Sequence, residues 1–259
     1  MIQEEYQNAI KEALSLAKYN FINRLAAFYV GGSVALGEAW PGISDVDAYV
    51  VINGNATDND LYWKTRSESS LKERFPEIAN DFHFTLLPTE MLKTETCLYK
   101  FFLKYASERI YGDDIISQME KDGFVTPKPS RELAISRFAF MENNIRTILD
   151  GKFPKTLGSL PDSDHFAVRK LARCLIFDSA WLLIACDNFN SFRASDVLAS
   201  LKIKFPEWSD IYISIETALE SPLKAPISTQ DFIKLIQNYY LWLLDSFHQQ
   251  KSQEEKRKR

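Results

Sequence analysis

The chain has 259 residues, of which 46% are hydrophobic and 25% are charged. This balance is typical of a folded globular protein and excludes wholesale disorder or a collagen-like repeat. The length allows one large domain or two of ordinary size, with a core that needs no disulfide staples. The formal net charge of -4 argues against a basic face that grips nucleic acid, so we expect no nucleic-acid partner.

The cysteines and the N-terminal residues indicate the compartment. An odd, sparse count of three, Cys97, Cys174 and Cys186, favours a reducing environment over a disulfide framework. The N-terminal twenty residues are charged and amphipathic, and no apolar run reaches the length of a transmembrane helix. We therefore expect a soluble cytoplasmic protein with no membrane partner, and the sequence leaves its oligomeric state open.

The first half of the chain predicts a mixture of helices and strands. An apolar stripe predicts a helix over residues 3–24. Apolar or alternating runs predict strands over residues 26–31, 45–52 and 81–87, and a polar periodic run predicts a helix over residues 59–74.

The pattern becomes entirely helical after about residue 120. Helices are predicted over residues 130–150, 163–186, 194–204, 208–219 and 228–250. We therefore predict an α+β fold with two domains. Residues 1–122 form an α/β domain with a short mixed sheet, and residues 123–259 form an all-α helical bundle that binds substrate and closes the cleft.

Glycines crowd the stretch between the first two predicted strands. Of nine glycines in the chain, Gly31, Gly32, Gly37 and Gly42 fall in this stretch, which indicates unusual backbone demands. Glycine allows the backbone to approach a ligand closely. Ser33 stands where a new helix is predicted to begin, and a serine there offers its hydroxyl and amide N–H groups to a phosphate.

A carboxylate pair opens the second predicted strand. Asp45 and Asp47 are two residues apart, so both side chains face one side of a strand. Clustered carboxylates need a cation, and hard oxygen ligands favour Mg²⁺ shared with substrate phosphates. Each motif alone is usually a turn or a solvated strand edge. Together they are the minimum equipment for phosphoryl or nucleotidyl transfer.

The stretch from Gly32 to Val50 resembles the signature of the nucleotidyltransferase superfamily, which includes DNA polymerase beta and the aminoglycoside nucleotidyltransferases. The matching residues are Gly32, Ser33, Gly37, Ser44, Asp45 and Asp47. The resemblance implies that Asp45 and Asp47 bind two Mg²⁺ ions. It also implies that Gly32, Ser33 and Ser44 bind the phosphates of ATP, the co-substrate.

The superfamily places a third carboxylate on the next strand, where it shares a metal or deprotonates the acceptor hydroxyl. His83 stands at that position here, and Asp81 lies two residues earlier on the same face, about 6–7 Å along the strand. Three interpretations stay open. Asp81 is the third carboxylate and a metal ligand, His83 is the general base, or His83 is only a polar strand residue and the site has lost full activity.

The segment of residues 105–115 contains an aromatic–glycine pair that also resembles these enzymes. The preferred interpretation is nevertheless a plain turn at Gly112, followed by a helix that Asp113 caps.

The predicted helix 163–186 is apolar nearly all round, which indicates burial. Arg169 and Arg173 share one of its faces and need anions there. The commoner interpretation is that these arginines pair with carboxylates of the protein. The functional interpretation is that they bind the triphosphate of ATP. The segments LARCLIF and RASDVLASL resemble two motifs of the adenylyltransferases that modify streptomycin and spectinomycin, which implies that Arg173 contacts phosphates. The second motif's lysine is Ser195 here, with Arg193 nearby as a candidate replacement.

The resemblance implies transfer of AMP from ATP to a hydroxyl of a small acceptor, an aminoglycoside-like antibiotic. Such a polycation needs carboxylates and aromatic faces. The candidates are Asp162, Asp164 and Asp178, with Trp181 one turn beyond, although the first two are more simply helix caps. The alternatives are a protein or tRNA acceptor, as in toxin-type relatives, or a degenerate nucleotide-binding protein that is no enzyme.

Overall fold

The computed structural model describes residues 2–94, 97–154, 163–187, 189–224 and 227–257. The chain divides into two compact units, Met1–Lys128 and Pro129–Arg259. The first unit combines helices with a four-stranded sheet, and the second is helical. The predicted α+β fold class is therefore confirmed.

The first unit alternates helices and strands. Its described elements are α1 (Gln7–Asn20), β1 (Leu25–Gly31), α2 (Gly32–Leu36), β2 (Val46–Ile52), α3 (Asp58–Arg74), β3 (Phe82–Pro88), α4 (Thr89–Leu92), α5 (Leu98–Tyr105), β4 (Ser107–Gly112) and α6 (Ile115–Lys121). The strand order is β3-β2-β1-β4. Strand β1 is antiparallel to both β2 and β4, whereas β2 and β3 are parallel, so the sheet is mixed.

Residues 105–115 correct the sequence interpretation. Gly112 is the last residue of β4 rather than a plain turn. The helix that follows is capped by Asp114, whose carboxylate accepts a hydrogen bond from the Ser117 amide at 3.1 Å. The prediction that Asp113 caps this helix is wrong by one residue, because the chain stays extended long enough to complete its pairing with β1.

Alternation along the strands divides the first unit into two apolar layers. On one face of the sheet, side chains such as Phe28 and Val50 pack with the buried stripe of α1, which includes Ile10. On the other face, Tyr29 and Val51 pack with side chains of α5 and α6. Burying a large apolar side chain contributes about 1.5–3 kcal/mol, so both layers hold the sheet in a fixed register.

The second unit is a bundle around one central helix. Its described helices are α7 (Arg131–Leu149), α8 (Asp164–Asp187), α9 (Ala194–Lys204), α10 (Ser209–Glu220) and α11 (Thr229–Arg257). Helix α8 packs against each of the other four, which explains why its sequence is apolar nearly all round. Among the residues described, no helix is long and apolar enough to cross a membrane.

Candidate active site

The two sequence motifs meet at one end of the sheet. In an antiparallel pair, the end of one strand lies beside the start of the other. Strand β1 ends at Gly31, and β2 begins at Val46. Because Val30 pairs with Ala48, the glycines that follow β1 lie next to the first side chains of β2. The fold thus places the glycine–serine turn, Gly31-Gly32-Ser33, beside the carboxylate pair.

Gly32 lies directly against the carboxylate of Asp47. Its φ is +60°, in the left-handed region that disfavours other residues. A Cβ added to Gly32 would lie 2.7 Å from Oδ2 of Asp47. Only glycine therefore lets the backbone at the start of α2 and this carboxylate lie so close together.

The ring of Tyr49 packs against the backbone of Gly31, next to this contact. A Cβ on Gly31 would lie 2.6 Å from the Tyr49 ring, so packing favours glycine at this position as well. Burial raises the pKa of the Tyr49 phenol, and the negative charge of Asp47 adds to that effect. Tyr49 consequently stays neutral and supports the strand that carries Asp47.

Asp45 is held by two neighbours from the segment around β3. Its Oδ1 accepts a hydrogen bond from Nδ2 of Asn80 at 3.2 Å, and its Oδ2 lies 3.9 Å from Nε2 of His83. The Asn80 backbone amide also donates to the Ser44 carbonyl at 3.2 Å. Asn80 thus binds two consecutive residues and orients the Asp45 carboxylate.

Sequence reasoning missed Asn80. Its only signal is its place directly before the third strand. That signal becomes informative once β2 and β3 are known to be parallel neighbours, because the starts of both strands then lie side by side.

Both candidates for the third group lie beside the start of β2. The parallel register pairs His83 with Asp47, and the imidazole lies beside Asp45. Asp81 precedes β3, and its Oδ1 lies 3.6 Å from Nζ of Lys72 on α3. The Asp81 carbonyl also accepts a hydrogen bond from the Val46 amide at 2.9 Å. Which of these two side chains serves as the third group stays a prediction.

The chemistry of the carboxylate pair fits a magnesium ion. Asp45 and Asp47 supply hard oxygen donors on one face of a strand. Within the described ranges, no group of three or more His, Cys, Asp and Glu side chains is arranged to hold a metal. This donor set suits Mg²⁺, which commonly takes one or two protein carboxylates and completes its shell with water and substrate phosphates.

Hydrogen bonds within the loop between α2 and β2, and from the loop to α2, contribute to its conformation. The buried Ser44 hydroxyl accepts from the Trp40 amide at 2.9 Å. The Glu38 amide donates to the Ser33 carbonyl at 2.9 Å. The phosphate-binding roles of Ser33 and Ser44 stay predictions.

The two predicted arginines belong to the second unit. Arg169 is buried on α8, and its Nε donates to the Leu219 carbonyl at 3.2 Å. Arg173 is partly buried, and its Nη2 donates to the Phe192 carbonyl at 3.2 Å. Both side chains thus tie α8 to neighbouring segments of the bundle. Their proposed contact with ATP phosphates stays a prediction.

The acidic candidates for acceptor binding differ in environment. Asp162 lies outside the described residues. Asp164 accepts a hydrogen bond from the Thr229 amide at 3.0 Å, so it caps α11 rather than its own helix. Asp178 and Trp181 are buried in the bundle. Burial raises the pKa of the Asp178 carboxyl well above its ordinary value, and this outweighs the opposing attraction of the Arg137 charge.

Comparison with known proteins identifies the class of the first unit. The chain matches the family of nucleotidyltransferase domains over residues 10–108. The matched range contains the glycine–serine turn, the carboxylate pair and both candidates for the third group. The matched residues therefore carry a nucleotidyltransferase domain, and the predicted resemblance to the nucleotidyltransferase superfamily and the predicted class of enzyme are confirmed. Among curated proteins, none matches the sequence significantly.

Solved structures extend the likeness to the rest of the chain. The crystal structure of spectinomycin adenyltransferase AAD(9) from Enterococcus faecialis with ATP and spectinomycin is 14% identical in sequence, with a TM-score of 0.57. It covers 92% of this chain and 98% of that one, which shows that the chain shares its fold. A toxin-antitoxin structure with AMP-PNP is 15% identical, covers 54% of this chain and 98% of that one, and has a TM-score of 0.32, too low to bear on function.

Proposed function

We propose that the protein transfers AMP from ATP to a hydroxyl group of a small acceptor, with Mg²⁺ as cofactor. The observation that carries this proposal is the contact between the Gly32 backbone and the Asp47 carboxylate, within a nucleotidyltransferase domain. That contact places the glycine–serine turn and the carboxylate pair close enough together to bind one triphosphate. Positioning and electrostatic stabilisation of such a group are the main demands of this chemistry.

Each residue of the first unit has a role in this proposal. Asp45 and Asp47 hold the metal, which when bound polarises the reacting phosphate and offsets the charge of the departing pyrophosphate. The backbone of Gly32 and the hydroxyls of Ser33 and Ser44 orient the phosphates. Asn80 keeps Asp45 turned toward the site.

His83 is proposed to accept the proton of the acceptor hydroxyl. Support comes from its register beside Asp47 and its place next to Asp45. Its side chain is also 40% exposed, so an incoming hydroxyl can reach it. Asp81 is the less favoured candidate, because its carboxylate lies beside Lys72. The loss of a carboxylate at this position does not by itself make the protein a non-enzyme, since imidazole is a competent base.

The second unit is proposed to recognise the acceptor and to help hold ATP. Arg169 and Arg173 are the proposed phosphate contacts, and an aminoglycoside-like polycation is the proposed acceptor. Support for this acceptor class is the fold shared with a protein whose structure was solved with ATP and spectinomycin. The acidic net charge of the chain is compatible with a cationic small molecule and disfavours tRNA.

The test is transfer of label from α-³²P-ATP in the presence of Mg²⁺. Separate reactions contain spectinomycin, streptomycin, other aminoglycosides, a lincosamide, bulk tRNA or cell-extract protein. We expect labelled product with one or more aminoglycosides and none with tRNA or protein. Label on tRNA or protein alone contradicts the acceptor class while leaving nucleotidyl transfer intact. Failure to bind Mg·ATP contradicts the whole proposal.

A further inference from the structure

The loop from Glu38 to Ser44 joins the two halves of the candidate site. At one end, the Glu38 amide bonds to the Ser33 carbonyl in the turn after β1. At the other end, Ser44 precedes Asp45, and its carbonyl accepts from Asn80. This loop is therefore the covalent connection between the proposed phosphate-binding turn and the proposed metal ligand.

A side chain from the N-terminal segment clamps the middle of this loop. The Gln3 carboxamide donates from Nε2 to the Ala39 carbonyl at 3.1 Å and accepts from the Ala39 amide at Oε1 at 2.9 Å. These two bonds satisfy both backbone polar groups of one residue, as a neighbouring strand would. Ala39 itself is 2% exposed and packs in the same apolar layer as Tyr6.

Gln3 lies outside the part of the chain that matches the family, which begins at residue 10. A residue outside the matched range therefore contacts the loop that joins the glycine–serine turn to the carboxylate pair. A carboxamide suits this contact because one group carries both a donor and an acceptor. Methionine has similar length but neither bond, and glutamate at neutral pH cannot donate to the Ala39 carbonyl.

We propose that Gln3 is a positioning residue for nucleotidyl transfer, acting through the Ala39 backbone to set the distance between Ser33 and Asp45. This inference rests on the proposed function. Misplacing reacting groups by a fraction of an ångström lowers the rate of the chemical step more than it weakens binding of the substrate. Loss of the clamp is therefore expected to lower kcat for AMP transfer and to leave KM for ATP nearly unchanged.

The experiment compares Gln3→Met and Gln3→Ala with Gln7→Met, a matched control at an exposed glutamine four residues later. Amide hydrogen exchange over residues 37–45 reports on the loop itself. Steady-state kinetics with Mg·ATP and an acceptor report on catalysis, with rates normalised to the concentration of sites that bind Mg·ATP. If Gln3 only stabilised the fold, its loss would raise the unfolded fraction of the protein. Normalising to binding sites removes that effect from kcat.

We expect faster exchange over residues 37–45 and about a 10-fold lower kcat in both Gln3 variants, with KM for ATP within about twofold of wild type. Gln7→Met is expected to match wild type in both measurements. Unchanged exchange, or unchanged kcat per binding site, overturns the positioning role while the wild type still transfers AMP. A wild type that neither binds Mg·ATP nor transfers AMP overturns the proposed function and, with it, this inference.

Discussion

Nε2 of His83 lies 3.9 Å from Oδ2 of Asp45, and the parallel register of β3 against β2 holds the imidazole at the carboxylate pair. Register in a sheet with two buried faces is strongly specified, because a slip of one residue turns every side chain to the other face. The register of the strand thus determines which face of the sheet carries the imidazole.

Replacing His83 by alanine is expected to lower kcat for AMP transfer about 100-fold, the usual magnitude for loss of a general base. Asp81→Asn is expected to lower kcat less than about threefold, because it weakens a partly exposed ion pair with Lys72. Steady-state kinetics with Mg·ATP and a productive acceptor check both values. The reverse order of effects would assign the third role to Asp81.

Gly32→Ala tests the contact between the backbone and Asp47. The added Cβ would lie 2.7 Å from the carboxylate oxygen, so Asp47 must move, and transfer activity is expected to fall at least about 100-fold. Gly54→Ala is the matched control, since Gly54 also has a positive φ, +77°, but nothing lies within 4 Å of its added Cβ. Backbone strain of about 1–2 kcal/mol is expected in both variants, with loss of activity in Gly32→Ala alone. Equal activity in the two variants would contradict the role given to this contact.

The lowered pKa of Asp60 is expected to make the free energy of unfolding of the first unit depend on pH. Burial acts to raise the pKa of its carboxyl, but hydrogen bonds from Thr57 and the Arg24 guanidinium outweigh it, so the pKa lies below its ordinary 3.8. The stabilisation is therefore present above pH 3.8 and is lost as the pH falls through the lower pKa of the folded state.

Wild type is expected to exceed Asp60→Asn in free energy of unfolding by about 1 kcal/mol at pH 6, with a smaller difference at pH 2.5. Urea unfolding at both pH values measures this difference. Asp58→Asn, an exposed neighbour in the first turn of α3, serves as the control with little effect. A difference that stays constant with pH would contradict the interpretation.

The raised pKa of Asp178 is expected to give the stability of the second unit the opposite dependence on pH. Burial raises the pKa of its carboxyl well above 3.8. Above pH 3.8 the unfolded chain releases this proton while the folded protein keeps it, so the wild type loses stability as the pH rises. A carboxamide does not titrate, so the variant Asp178→Asn is expected to gain stability relative to wild type between pH 4 and pH 7. Thermal unfolding at both pH values measures this, with the exposed Asp245→Asn as control. A relative loss between those pH values would show that Asp178 is ionised and paired with Arg137.

The elements that carry the carboxylate pair were predictable because their patterns are strong. The predicted strand 45–52 is observed as Val46–Ile52, since its apolar run has strand length and is bounded by turn residues. Strand β4 was missed because polar residues such as the half-buried Glu108 and the exposed Arg109 give it no apolar alternation. Its strand conformation depends on pairing with β1.

The site was predictable where one segment of the chain contains it. Gly32, Ser33, Asp45 and Asp47 follow one another closely, so spacing alone suggests their chemistry. Asn80 and Gln3 reach the site from segments more than thirty residues away in the sequence. Their contacts depend on parallel pairing of strands and on packing of the N-terminal segment, and neither leaves a local signature.

The most direct test of AMP transfer follows two labels of ATP through one reaction. With α-³²P-ATP, label is expected on the acceptor. With γ-³²P-ATP, label is expected in pyrophosphate and not on the acceptor. Asp45→Asn and Asp47→Asn are expected to abolish both signals, whereas Asp58→Asn retains them. Transfer of the γ label to the acceptor, or transfer that survives in both site variants, would contradict transfer of AMP at the carboxylate pair.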